Sequence, residues 1–230
     1  MKKIFIISCA LVLSGVAFGQ QIKNKNVELD ELVILLGTSG YELFSYDISE
    51  MLKERYDITF IKKEFLAGTE IESSTLTMVS NKRLLTDFPE SQWQEALEAG
   101  ITIIDPKTKA ISHAEKISFG FSPSDNDSTK FLQINVPDLK KMRSPLKLRG
   151  LPMKDSDKKF YSYNTRLFKI GTFKEGDFIP LILFGSVWYD ERFDAYRFCG
   201  ESEINPDMSS EILKDVPHYY VIGVKFVKKQ

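Results

Sequence analysis

The sequence predicts an α+β fold with a mainly antiparallel sheet, two helices in the N-terminal half and a β-rich C-terminal half. Three observations predict it. Helix-period apolar spacing with capping signals occurs twice, both times before Gly100. Beyond Gly100 the apolar residues alternate or form short continuous runs, as strands do. Glu175-Gly176-Asp177 and Asp190 to Arg192 supply turns short enough to join antiparallel neighbours.

Val33 to Leu36 reads as a short apolar strand, turned by Gly37-Thr38-Ser39. Ser39 and Glu42 have capping-box spacing, and Phe44, Ile48, Met51, Leu52 and Tyr56 recur at the 3.6 period, so a helix is predicted from Gly40. A strand at Ile58 to Phe65 would complete a β-α-β unit. Asp87-Phe88-Pro89-Glu90 signals the second helix, with Trp93, Ala96 and Leu97 on its buried side and Gly100 at its end. Strands follow at 101–104, 111–121 and 130–136.

The segment 138–159 carries eight basic and three acidic residues with Pro145, Gly150 and Pro152. It lacks a sustained apolar face and is expected to be an exposed, irregular loop or linker. Beyond it, 160–173, 178–189, 193–199 and 218–227 are strand-like, with a short helix at Pro206 to Lys214. Phe178 to Val187 is apolar at nearly every residue, so this strand should be central and covered on both faces, with Phe193 to Cys199 as its partner. Pro180 has no N–H to give a ladder, so pairing should break there.

Lys2 and Lys3 precede an uncharged stretch, Ile4 to Phe18, and Ala17 and Gly19 stand at −3 and −1 of a small-residue cleavage site. That is the layout of a secretory signal peptide over residues 1–19, followed by one α+β domain over 20–230, with a division at 138–159 as the alternative. The apolar run is shorter than the ~20 residues a membrane-spanning helix needs. Cys9 follows the lysines too closely for the usual h-region, so lipidation there is disfavoured against cleavage after Gly19. The Gly19-Gln20 junction resembles signal peptides of Bacteroides-type bacteria, and the chain resembles their secreted families of unknown function. That resemblance implies export through the inner membrane to the periplasm or beyond, and no activity.

Without Lys2 and Lys3 the chain holds 29 basic and 32 acidic residues, which lacks the basic excess of a nucleic-acid-binding protein. Cys199 alone remains after Gln20, so neither an internal disulfide nor a four-cysteine zinc site is available. Cys199 and His218 form the one conceivable thiol–imidazole pair, but Cys199 lies in the predicted alternating, aromatic strand and is expected to be buried and inert. His113 and His218 are too few for a histidine-rich metal site. Asp125-Asn126-Asp127 begins like a calcium loop, but Lys130 and Val136 stand where Gly and Glu are required. Gly37 to Gly40 lacks both P-loop and dinucleotide spacing. Asp127-Ser128-Thr129 resembles the O-glycosylation acceptor of Bacteroides-type bacteria.

No catalytic signature such as GxSxG or HExxH occurs, and neither cofactor nor metal is expected. The leading reading is a secreted or periplasmic, non-enzymatic binding protein, not membrane-spanning, whose partner is a glycan or another envelope protein. Its ligand-binding residues would be Trp188, Tyr189, Asp190, Phe193 and Tyr196, aromatic faces beside carboxylates at a hairpin tip. The alternative is a carbohydrate-active hydrolase using paired carboxylates among Asp190, Glu191, Asp194, Glu201 and Glu203.

Overall fold

A computed structural model describes residues 29–153 and 156–229. The proposed signal peptide lies outside the described residues. The chain opens with helix α1 (Leu29–Thr38), strand β1 (Glu42–Asp47) and a 3-10 turn over Ser49–Lys53. A long hairpin, β2 (Tyr56–Leu66) and β3 (Thr69–Ser80), leads to a short pair, β4 (Lys82–Leu84) and β5 (Ala110–His113), which brackets α2 (Trp93–Glu98). Three strands then meander: β6 (Lys116–Pro123), β7 (Thr129–Val136) and β8 (Lys140–Lys147). Hairpin β9 (Leu151–Met153) and β10 (Ser156–Phe160) precedes β11 (Tyr163–Phe168) and β12 (Ile179–Ser186). Last come hairpin β13 (Trp188–Asp190) and β14 (Ala195–Arg197), β15 (Glu203–Ile204), α3 (Ile212–Asp215) and β16 (His218–Lys228).

The architecture is β-rich, with few and short helices. A four-stranded antiparallel sheet in the order β1-β6-β7-β8 faces a six-stranded sheet in the order β15-β11-β12-β16-β2-β3, in which β15 alone runs parallel to its neighbour. Their facing sides share one apolar core. Phe119, Phe121, Leu132 and Ile134 come from the smaller sheet; Phe60, Phe184, Tyr220 and Ile222 come from the larger. Phe121 stacks on Phe184 across the gap with centroids 4.7 Å apart. A second core covers the outer face of the larger sheet, where Ile212, Leu213 and Val216 pack on Leu183, Tyr219 and Val221.

Burial on both faces explains why every residue of β12 is buried, as its unbroken apolar run predicts. Its irregularity is also where expected: the register with β16 shifts between Pro180 and Ile182, leaving Leu181 as a bulge. The pairing partner differs from expectation. β12 lies between β11 and β16, whereas Phe193 to Cys199 contributes β14, which pairs with β13 in a separate hairpin.

The N-terminal β-α-β reading is overturned. Val33 to Leu36 lies in helix α1, and the segment predicted helical from Gly40 is strand β1 followed by a 3-10 turn. Ser39 and Thr38 do not open a helix; their hydroxyls donate to the Leu35 carbonyl and close one. Gly40, at φ +78, then reverses the chain. β1 and β2 belong to different sheets, so no crossover joins them.

The segment 138–159 is exposed in large part but not irregular, since it carries β8, β9 and β10. In β8, Met142, Ser144 and Leu146 turn inward while Lys141, Arg143, Pro145 and Lys147 face solvent. Lysines and a proline on an edge strand look like a loop in sequence, yet they are how an edge is kept from pairing further. The edges differ in this respect. β3 is bulged at Leu76 and Ile71, and β15 is two residues long, whereas β1 pairs with β6 over six residues without a shift.

Candidate functional site

A cleft of about 540 Å³ opens between the two sheets at the end where β16 finishes. Its walls are apolar: Ile117 from β6, Leu181 from β12, Val224 and Phe226 from β16, and Met51 from the 3-10 turn. The bulge at Pro180 matters here. Ile182 and Phe184 keep the regular alternation toward the core, while the extra residue turns Leu181 into the cleft as well. The phenol of Tyr46 donates to the Leu181 carbonyl at 3.1 Å, tying β1 to that bulge across the sheets, and burial raises its pKa.

Asn81, fully buried, fixes the turn beside the cleft. Its side-chain oxygen accepts from the Tyr56 N–H at 2.9 Å, and its amide donates to the carbonyls of Met51 and Glu54 at 2.9 and 3.2 Å. On the outer side, the irregular stretch between β11 and β12 hangs Ile170 and Phe173 over the opening, 55% and 39% exposed, with Phe173 stacked on Phe226. Ser45, Asp47, Ser49 and Glu50 form a polar mouth. Apolar walls with a few polar groups at one end suit a small ligand with an apolar body.

The opposite end of the sandwich is filled by polar side chains. Tyr220 is the cross-strand partner of Glu64, which sets His218 diagonally beside that carboxylate on the same face. His218 Nε2 donates to Glu64 Oε1 at 2.9 Å, and Arg149 donates to the same oxygen at 3.0 Å. Tyr163 donates to His218 Nδ1, and its oxygen accepts from the Arg149 backbone N–H at 2.9 Å. This pattern assigns a neutral imidazole with its proton on Nε2. Burial lowers the His218 pKa against the opposing pull of Glu64. Burial alone would raise Glu64, but hydrogen bonds from His218 and Arg149 outweigh it and hold the carboxyl below its ordinary value. Burial pushes Tyr163 well up, so its hydroxyl stays protonated. The network is satisfied and closed, which is what a buried polar cluster needs to stabilise the fold.

A family model described as Domain of unknown function (DUF5041) matches residues 11–228, a span that includes every element from α1 to β16. The chain belongs to the DUF5041 family. No curated protein and no solved structure matches it.

In this DUF5041 chain, none of Trp188, Asp190, Cys199 and His218 lines the interior cleft. The five hairpin residues expected to bind ligand are divided among three surroundings. Trp188 packs toward the second core beside Phe198. Tyr189 and Tyr196 meet edge to face and, with Leu151, Pro152 and Met153, wall a shallow depression. Asp190, 7% exposed, is clasped by Arg192 and Arg197 at 3.0 Å each, and Phe193 lies outside with the Arg197 guanidinium over its ring.

Two of the other carboxylates are also committed. Asp194 accepts from the Tyr189 hydroxyl, and Glu201 accepts from the backbone N–H groups of Glu211 and Ile212. The Arg192 hydrogen bond holds Asp190 below its ordinary pKa, and backbone hydrogen bonds do the same for Glu201. Cys199 is exposed, contrary to expectation, because β14 ends at Arg197 and the chain leaves the sheet before Gly200. Both ring nitrogens of His218 are engaged elsewhere, so the thiol–imidazole pair does not form. Among the described residues no cluster of His, Cys, Asp or Glu could hold a metal ion, and no helix is long and apolar enough to cross a membrane.

Local sequence carried one sign of the cleft and no more. Its walls come from positions near 46, 117, 171, 181 and 225, and only the sheet order brings them together. Pro180 was the one visible signal, since a proline inside a buried strand forces the bulge that shapes one wall.

Proposed function

We propose that this chain is an exported, non-enzymatic binding protein that holds a small molecule with an apolar body in the cleft between its sheets. The observation that carries this reading is the cleft itself: about 540 Å³, within the range of ligand pockets, with apolar walls and a polar mouth. Export is supported by the signal-peptide pattern of residues 1–19, and the Gly19-Gln20 junction favours a Bacteroides-type origin. Binding is preferred to glycoside hydrolysis because a general acid needs a raised pKa, whereas Asp190 and Glu201 are held low.

Titration with the neutral, environment-sensitive dye N-phenyl-1-naphthylamine tests the reading. Saturable binding is expected, and Ile170→Ser with Phe173→Ser should weaken it roughly tenfold by removing part of the apolar wall. Both side chains are partly exposed, so the double variant keeps the fold. Undiminished dye binding by a folded double variant would overturn the proposal. The Tyr189–Tyr196 depression, about 320 Å³, supports a second reading in which a glycan ring stacks there. Tyr196→Ala would then abolish glycan binding while leaving dye binding untouched.

A further inference from the structure

We infer that the ligand of the cleft is a small amphipathic cation, with its apolar body between the sheets and an ammonium head over the carboxylates at the mouth. This rests on the cleft being the binding site. A second depression, about 530 Å³ and more open, continues from the mouth and shares Ser45, Tyr46, Asp47 and Ser49 with the cleft. It adds Glu115 and Lys116 to the lining. The approach to the apolar walls therefore passes Asp47, Glu50 and Glu115 on one side of the charge balance and Lys116 on the other. Lys116 is the cross-strand partner of Asp47, so the mouth keeps an excess of two carboxylates. His113 stands 3.5 Å from Glu115 and adds positive charge only when protonated.

The sheet geometry makes this arrangement fixed. β1 delivers Ser45 and Asp47 on its exposed side while Phe44 and Tyr46 point inward, so the strand places polar groups at the rim and apolar ones behind it. Ser49 follows at once, and its N–H donates to the Asp47 carboxylate at 2.7 Å, which keeps that carboxylate oriented and charged. The Glu115 carbonyl accepts from the Ile48 N–H at 2.7 Å, which anchors the segment 114–116, and Glu115 with it, to the same rim. A ligand seated in the cleft must put its outer end here. An anionic head would meet like charge at short range, and a cationic head would meet opposite charge.

Isothermal titration of the intact protein at neutral pH and low ionic strength, with decylamine, decanol and decanoate, tests the inference. The three each have ten carbons and differ only at the head group, which is cationic, neutral or anionic. Decylamine is expected to bind about tenfold more tightly than decanol, and decanoate more weakly than decanol. Added salt should shrink the difference, because the mouth is open to solvent. In the variant Asp47→Asn, Glu50→Gln, Glu115→Gln the three affinities should converge to within about twofold. Asparagine keeps an acceptor for the Ser49 N–H, and the three side chains lie at the surface, so the fold is retained. Equal affinities for amine and carboxylate, or a preference for decanoate, would overturn the charge assignment and leave the cleft reading standing. An amine preference undiminished in the triple variant would overturn the placement of the head at the mouth. Failure of all three to bind would overturn both the inference and the cleft reading beneath it.

Discussion

His218 is 1% exposed and neutral, donating to one carboxylate oxygen that Arg149 also reaches. Its folded pKa lies below that of an unfolded histidine, so in acid the unfolded chain takes up a proton that the native protein resists. Stability should therefore fall as pH drops below ~6.5, by at most about 1.4 kcal/mol per pH unit for one proton. Glu64 adds a second loss at lower pH, as its depressed pKa is crossed. Melting temperatures measured from neutral to mildly acidic pH should show the first slope, and His218→Gln should flatten it while costing about 1–3 kcal/mol at neutrality through imperfect pairing of Glu64. Sequence could not reveal this pair, because 154 positions separate two residues that only adjacent β2 and β16 bring together. Cys199 failed for the opposite reason. Its neighbours Tyr196 and Phe198 look like core, yet the strand ends two residues before it. Iodoacetamide should label Cys199 in the native protein without denaturant, and protection until unfolding would contradict the exposed position.

At the scale of the element, β12 was the most legible part of the fold and β1 the least. Eight consecutive buried positions leave β12 no alternative to a doubly covered strand. In β1, Phe44, Ile48 and Met51 happen to fit a helical period, but Phe44 belongs to a strand and the other two to a turn packed on the same core. Local spacing cannot separate those cases when the strand is six residues long and half of it is polar. The β12 irregularity has a partner on β16. Gly223 lies opposite Pro180, and a Cβ there would meet the Ile179 carbonyl oxygen at 2.2 Å and the Phe178 ring at 2.7 Å. Because the nearest obstacle is backbone, Gly223→Ala cannot be accommodated by a rotamer change. A loss of about 1–3 kcal/mol is expected, read as roughly 2–4 °C in melting temperature per kcal/mol. A melting temperature equal to the parent's would show that the bulge is not closely packed against β16.

At the scale of the molecule, the last strand holds the larger sheet together. β16 pairs with β12 on one side and, over 11 residues, with β2 on the other. Helices early and strands late is what the local periods predict, yet strands run from β1 to β16 and α3 comes near the end; the order β15-β11-β12-β16-β2-β3 depends on contacts between the ends of the chain, which no local pattern encodes. A chain ending at Pro217 should therefore lack a cooperative unfolding transition and near-ultraviolet dichroism; a sharp transition in that fragment would mean that the sheet closes without β16. The four edges of the two large sheets have a different consequence. Lysines and Pro145 guard β8, two bulges guard β3, and β15 is too short to template anything. β1 has none of these devices, and Leu43 on it is 74% exposed. In concentrated solution, end-to-end growth of one molecule onto the next should start at this strand, and Leu43→Lys should slow the rise in light scattering. Shelf life is thus decided at a single unguarded seam six residues long.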